Sequence, residues 1–240
     1  MQPGHFFIHH HTDLNPKARR LSGLFASRLW EAGMNLLFPP RCAGCGRVDT
    51  GWCTTCQRET EQAATPRHIH PLPPLTDIAA TAVHAGKLRE AVQALKYENA
   101  RRLAAQPLGE RLVQRLAALD WPVDALIPVP LHTDRLKSRG YNQAQLLGAY
   151  VAEHMNLPTL PAALYRQRDT QSQVELSAQE RLANVQDAFT ADSGAVSGKT
   201  LLLIDDVYTT GATLSACAAA LLAAGARAAY GLTVTAARDS

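Results

Sequence analysis

Two groups of side chains in this chain have the types and spacing for chemistry. The first lies in "LLLIDDVYTTGATL", residues 201–214, where an apolar run stops at Asp205 and Asp206 and a hydroxyl-rich turn follows. Neighbouring carboxylates at a strand end can accept hydrogen bonds from two adjacent sugar hydroxyls. Thr209, Thr210, Gly211, Ala212 and Thr213 then make a small-residue turn that opens a helix. Such a turn presents backbone N–H groups and hydroxyls as a cradle for a phosphate monoester. A diol clamp a few residues from a phosphate cradle matches the span of a ribose 5-phosphate. The plainer alternative is a strand that ends in solvated acids and caps the next helix, because Asp and Thr are good N-cap residues.

The second group is "CAGCGRVDTGWCTTC", which sets Cys42 and Cys45, then Cys53 and Cys56, as two CxxC pairs with seven residues between them. Two such turns can grip opposite sides of a tetrahedral Zn²⁺, and Gly44 and Gly46 suit the tight backbone they need. An iron–sulfur cluster, a redox pair and free thiols are the alternatives. Four thiolates would leave a zinc ion no open position, so the site would brace a small module that has little core of its own. The fifth cysteine, Cys217, stands alone in an Ala-rich stretch and reads as a small core residue. "SGAVSGKT" contains Gly198-Lys199-Thr200 but is not a phosphate loop. Ser193 stands where the first Gly is required, and Thr200 runs into a strand instead of a helix.

These groups need elements to position them. From residue 78 onward strands and helices alternate. "IAATAVHAG" has strand character, and the Leu-rich stretch from Lys87 to Leu119 is helical with interruptions near Asn99 and Pro107. "VDALIPVPL" is a buried strand, "NQAQLLGAYVAEHM" a helix and "LPAALYR" a second strand; a polar segment runs over 167–188. "TLLLIDDV", "TLSACAAALLAAGA" with a stop at Gly225, and "RAAYGLTVTAA" are the last strand, helix and strand. This alternation predicts a parallel α/β sheet, in which ligands bind at the carboxyl ends of strands. Asp205 and Asp206 fall at such an end. The predicted organisation is a mobile, solvated N-terminus over 1–28, the cysteine module over 29–62, a Pro-rich linker or strap over 63–76, and the α/β domain over 77–240. His68 and His70 in the strap read as loop residues.

The bulk properties set limits. A length of 240 residues holds one ordinary domain and a small module, and 46% hydrophobic residues suffice for a core. A net charge of +3 is too small to argue for nucleic acid by itself. No apolar run approaches the roughly eighteen residues of a membrane span, and no signal-peptide pattern is present. Together with clustered cysteines, this predicts a cytoplasmic protein.

"LLLIDDVYTTGATL" resembles the phosphoribosyl pyrophosphate (PRPP) signature of type I phosphoribosyltransferases, in which four hydrophobic residues precede two acids and a Thr-rich Gly turn. The resemblance implies that Asp205 and Asp206 hold the ribose 2- and 3-hydroxyls and that Thr209 to Thr213 hold the 5-phosphate. It also implies a doubly wound, mainly parallel sheet. Three further blocks, "LREAVQALKYENARRLA", "IPVPLHTDRLKSRGYNQAQLLG" and "RQRDTQSQVELSAQERLANVQDAF", resemble segments of the ComF family of competence proteins, also called GntX-like. A four-cysteine ribbon ahead of a phosphoribosyltransferase domain is that family's layout, and the resemblance covers the chain from about Leu37 onward.

On that footing PRPP comes with Mg²⁺, and pyrophosphate departure needs cationic donors. Arg135, Lys137 and Arg139 fall where the pyrophosphate loop would lie; a solvated basic loop is the alternative. Arg166, Arg168 and Arg181, with Thr170, Gln173 and Asn184, fall on a loop that would close over substrate, and Lys96 and Tyr97 either reach the site or pack. Three readings follow. One is a transferase-like enzyme of unknown acceptor, linked to the uptake or use of external DNA. Another is a PRPP sensor or accessory protein that handles single-stranded DNA with competence or DNA-processing partners, Arg41, Arg47 and Arg58 adding a basic surface. The third is nucleobase salvage, ranked last because the sequence shows no base-binding hood.

Overall fold

The computed structural model describes residues 39–48, 50–66, 68–96, 107–167 and 188–237. The chain divides into two units, Met1–Pro40 and Arg41–Ser240, and nearly all described residues belong to the second. The expectations for residues 1–28 and for Tyr97, Arg168, Thr170, Gln173, Arg181 and Asn184 fall outside the described residues.

In chain order the elements are α1 (Thr54–Glu61), β1 (Asp77–Val83), α2 (Gly86–Ala94), α3 (Leu108–Ala117), β2 (Ala125–Pro128), α4 (Thr133–Arg139), α5 (Gln143–Met155), β3 (Leu164–Arg166), β4 (Phe189–Ala191), α6 (Ser193–Val196), β5 (Thr200–Tyr208), α7 (Ala212–Ala223) and β6 (Ala228–Ala236). β1, β6, β5 and β2 lie side by side in that order, every pair parallel. The apolar run over 201–204 makes the centre of this sheet because all four side chains are buried, Leu201 and Leu203 toward one face, Leu202 and Ile204 toward the other. Near-continuous apolar strands are what a sheet covered on both faces requires. One layer, with Leu88, Leu112 and Leu147, comes from α2, α3 and α5. The other, with Leu214, Cys217 and Leu221, comes from α7 and the short β3–β4 pair. This is the doubly wound, mainly parallel arrangement expected.

One strand departs from expectation. Residues 164–166 do not join the parallel sheet; they pair antiparallel with β4 as a separate two-stranded ribbon. The outer edge of β2 is already occupied, since Leu126 N donates to Pro158 O at 2.9 Å and the Leu126 carbonyl accepts from Leu160 N at 2.9 Å. Pro128 and Pro130 suit that edge position, where fewer N–H groups are needed. The basic stretch after β2 is also a short helix, α4, where a loop was expected.

The strap over 63–76 has little regular structure but is tied down along its length. Val83 N donates to Ala64 O at 2.9 Å, Ser215 Oγ to Pro73 O at 2.6 Å and Thr76 N to Ala229 O at 2.8 Å. Among the described residues no helix is long and apolar enough to cross a membrane.

Candidate functional site

Because the four strands run parallel, their carboxyl ends share one edge of the sheet, at Val83, Pro128, Tyr208 and Ala236. β5 continues to Tyr208, so Asp205 and Asp206 sit inside the strand near its end. Successive side chains of a strand point to opposite faces. Asp205 therefore follows Leu201 and Leu203 toward α7, where its charge reaches Cys217. Asp206 follows Leu202 and Ile204, and its charge reaches His84. Burial, then the neighbouring Asp206, raise the Asp205 carboxyl well above the usual range, while Lys96 and the Asp206 N–H, 2.8 Å from Oδ1, act against the rise. Lys96, exposed just past the end of α2, is near enough for its charge to act on Asp205.

His84 follows β1 at the same edge. Its backbone N–H donates to Ala236 O at 2.6 Å, and its Nδ1 lies 2.7 Å from Thr235 Oγ1. Burial, then Arg89, hold its imidazole below the ordinary histidine range, with the Asp206 charge opposing them.

The turn after β5 is shaped by a tyrosine. Gly211 has φ +78° and caps α7, and a Cβ there would meet the Tyr208 ring at 2.7 Å, so a side chain would strain the backbone and push the tyrosine aside. Tyr208 Oη donates to His70 O at 2.8 Å and accepts from Leu72 N at 3.2 Å, which fastens the strap to the turn. Thr210 Oγ1 accepts a long bond of 3.4 Å from Ala212 N. The N–H groups of Thr213 and Leu214, in the first turn of α7, have no partner among the described residues, as the opening of a helix leaves them.

The β2 side adds scaffolding. Val129 N donates to Ile204 O at 3.0 Å, and Asn142 Nδ2 donates to Val129 O at 2.9 Å while its Oδ1 caps α5 at Ala144 N. Tyr141 Oη donates to the carbonyl of Leu95, the residue before Lys96. The "RGYNQ" stretch thus works as a clamp on neighbouring elements. Arg135, Lys137 and Arg139 lie on α4, which buries no residue, and form no ion pair among the described residues. α4 starts from the same edge as Asp205, through Val129.

The other group converges fully. The Sγ atoms of Cys42, Cys45, Cys53 and Cys56 all lie within 4.8 Å of one another, and Cys45 and Cys53 are 3.7 Å apart. Four sulfurs at about 2.3 Å from one tetrahedral ion would stand about 3.8 Å apart. Gly46 N closes the first turn onto Cys42 O at 2.7 Å, and Cys53 N donates to Cys42 Sγ at 3.3 Å. The Cys56 N–H, chiefly, lowers the Cys53 thiol to about 6, while burial pushes Cys56 up. A Cβ on Gly44 would stand 2.8 Å from Cys56 Sγ, so the cluster needs glycine there. The donor set therefore fits a single ion. The module is fixed to the sheet by Arg111, which donates to Thr60 O at 2.9 Å and, through Nε, to Thr81 Oγ1 at 3.2 Å, and by Lys87, which donates to Gly44 O.

Sequence reasoning missed His84, Tyr208 and Arg111. Tyr208 carried a faint signal by standing inside the motif; His84 and Arg111 carried none.

No family model matches the chain. The DNA utilization protein YhgH of Escherichia coli O6:H1 is 30% identical over 192 residues, covering 77% of this chain and 84% of that protein. The chain belongs to this competence and DNA utilization family. Competence protein F of Haemophilus influenzae is 37% identical over 110 residues, 45% of this chain and 48% of that protein, so the match spans about half of its length. Competence protein ComFC of Bacillus subtilis is 37% identical over 100 residues, 42% of this chain and 39% of that protein. Among solved structures, glutamine PRPP amidotransferase from B. subtilis overlaps 58% of this chain and 30% of its own at TM-score 0.38 and 18% identity. Adenine phosphoribosyltransferase from Thermoanaerobacter pseudethanolicus overlaps 53% and 64% at TM-score 0.30 and 19% identity.

Proposed function

We propose that the carboxyl edge of the sheet binds PRPP with Mg²⁺, and that the protein is a phosphoribosyltransferase-like member of its family serving the use of external DNA. The observation that carries this reading is the meeting, on one strand and the turn after it, of two carboxylates and a glycine-capped helix opening. A ribose lying across the strand end meets one carboxylate on each side, Asp205 and Asp206 each taking a hydroxyl. The 5-phosphate sits on the Thr209 to Thr213 turn, where the Thr213 and Leu214 N–H groups lack partners among the described residues and the helix dipole favours an anion. Mg²⁺ bound with PRPP would supply positive charge to the pyrophosphate leaving group. Lys96 supplies a cation beside the carboxylates, and Arg135 and Arg139, with Arg168, supply cations for the pyrophosphate. Residues 77–240 carry this chemistry.

Cys42, Cys45, Cys53 and Cys56 hold a structural Zn²⁺ in the module over 29–62. The relatives' names, competence protein and DNA utilization protein, support a DNA-linked role, and the exposed Arg47 and Arg58 of this module offer charge to single-stranded DNA. The test is calorimetric titration of PRPP–Mg²⁺ into wild type and into Asp205→Ala/Asp206→Ala, with circular dichroism to check folding. Hydrogen bonds to charged groups contribute about 1.5–3 kcal/mol each, so affinity should fall at least about 100-fold. Unchanged affinity in a folded variant would overturn the reading. Binding without consumption of PRPP would leave the protein a sensor.

A further inference from the structure

Two carboxamides, Asn142 and Gln143, stand at the start of α5, and both are buried. Both ends of Asn142 are engaged, Oδ1 capping Ala144 N at 3.0 Å and Nδ2 donating to Val129 O at 2.9 Å. Gln143 differs. It is only 5% exposed, yet its Oε1 is sealed from solvent and accepts no hydrogen bond among the described residues. A buried acceptor without a donor is costly, and folded proteins leave few of them.

The fold puts this oxygen at the carboxyl edge. Asn142 reaches Val129 O, and Val129 N reaches Ile204 O at 3.0 Å, so α5 begins where β2 ends and beside β5. Gln143, Leu147 and Val151 follow at four-residue spacing and share one stripe of the helix. Leu147 and Val151 are fully buried in the layer that also holds Leu202 and Ile204 of β5. Gln143 continues the helix stripe by one turn, and Asp206 continues the strand stripe by one step. Both apolar stripes thus end in a polar side chain, at the same edge and on the same face of the sheet. Helical side chains lean toward the N-terminus, so Gln143 extends past the end of α5 toward that edge.

The partner that would complete Gln143 must be a donor. On the PRPP reading the two ribose hydroxyls are taken by Asp205 and Asp206, and the phosphates offer acceptors. Mg²⁺ gives up its waters reluctantly and keeps several when it binds through phosphates. Each of those waters is a strong donor, because the ion polarises its O–H bonds. We propose that Gln143 is a positioning residue for the hydrated metal, its Oε1 accepting a hydrogen bond from a water held by the Mg²⁺ that accompanies PRPP. The inference rests on the PRPP reading and adds to it a contact between this chain and the metal's water shell. Asp206 brings negative charge to this face, and Gln143 brings a neutral acceptor that leaves the ion's waters in place.

The test is calorimetric titration of PRPP into the full chain, with Mg²⁺ and in buffer without added Mg²⁺. Wild type is compared with Gln143→Met, which removes the acceptor at similar length, and Gln143→Asn, which draws the carboxamide back by a methylene. Wild type should bind PRPP more tightly with Mg²⁺. Both variants should lose affinity about tenfold with Mg²⁺ and none without it. Free of ligand, Gln143→Met should melt about 2–4 °C above wild type, because an unsatisfied buried group is gone. A wild type indifferent to Mg²⁺, variants with unchanged Mg²⁺ dependence, or an equal loss in both buffers overturns this inference alone. A lower melting temperature in Gln143→Met also overturns it, since the carboxamide would then be partnered in the free protein. If wild type binds PRPP in neither buffer, the parent reading falls and takes this inference with it.

Discussion

The cysteine module and the carboxylate edge are both built on short motifs, yet opposite forces hold them in place. The module's own buried cluster is Cys42, Cys53 and Cys56 with Trp52 packed against it, too little to replace a core. The edge sits on two leucine-rich layers that bury β5 from both sides. On the proposed reading a bound ion orders the first region, while ordinary burial shapes the second before any ligand arrives.

The comparison breaks most sharply if the metal is removed. Chelation, or Cys53→Ser, should release one zinc per chain and let amides over 41–62 exchange within seconds while those of β5 stay protected. Structural zinc contributes roughly 10–16 kcal/mol in small finger peptides, so partial loosening is not expected. Melting of the sheet along with the module would show that the two regions are not independently held.

A smaller effect belongs to the edge. Asp205 is raised in the fold by burial and by Asp206, so its protonated form stabilises the native state. That contribution is complete below the unfolded value of about 3.9 and is lost as pH rises through the higher folded value. Asp205→Asn should therefore melt like wild type near pH 4 and at a higher temperature than wild type at pH 8, read by scanning calorimetry. A lower melting temperature at pH 8 would mean the carboxylate is already compensated. Such a stabilising substitution at the cost of ligand binding is the usual mark of a strained functional site.

The smallest effect tests the tie between strap and turn. Tyr208→Phe keeps the ring over Gly211 but removes the bonds to His70 O and Leu72 N. It should cost about 1–2 kcal/mol and speed exchange of the Leu72 amide about tenfold, with β5 unaffected. An unchanged Leu72 amide would make the strap independent of the turn.

Much of this architecture was legible in the residues, for definite reasons. The run over 201–204 reads as a central strand because burial on both faces leaves no alternation, and Gly225 marks the end of α7 because it adopts φ +95°. The cysteine spacing was informative because two CxxC turns gather their four thiols locally. What escaped depends on contacts far apart in sequence. Tyr208 meets His70 across 138 residues, Arg111 meets Thr60 across 51 residues, and no local pattern encodes either. Residues 164–166 misled because three apolar or amphipathic residues fit a ribbon as well as a sheet.

The strand order carries a consequence for how the molecule is made. β1 touches neither β5 nor β2; it is joined to the sheet by β6 alone, Asp77 opposite Tyr230 and Val83 opposite Ala236. Everything between those two partners must leave the ribosome before β1 has a neighbour, and such distant pairing is slow. The cysteine turns emerge well before that moment and need no distant partner to gather an ion. The nascent chain can thus gather its four thiols early and completes the carboxyl edge of its sheet last.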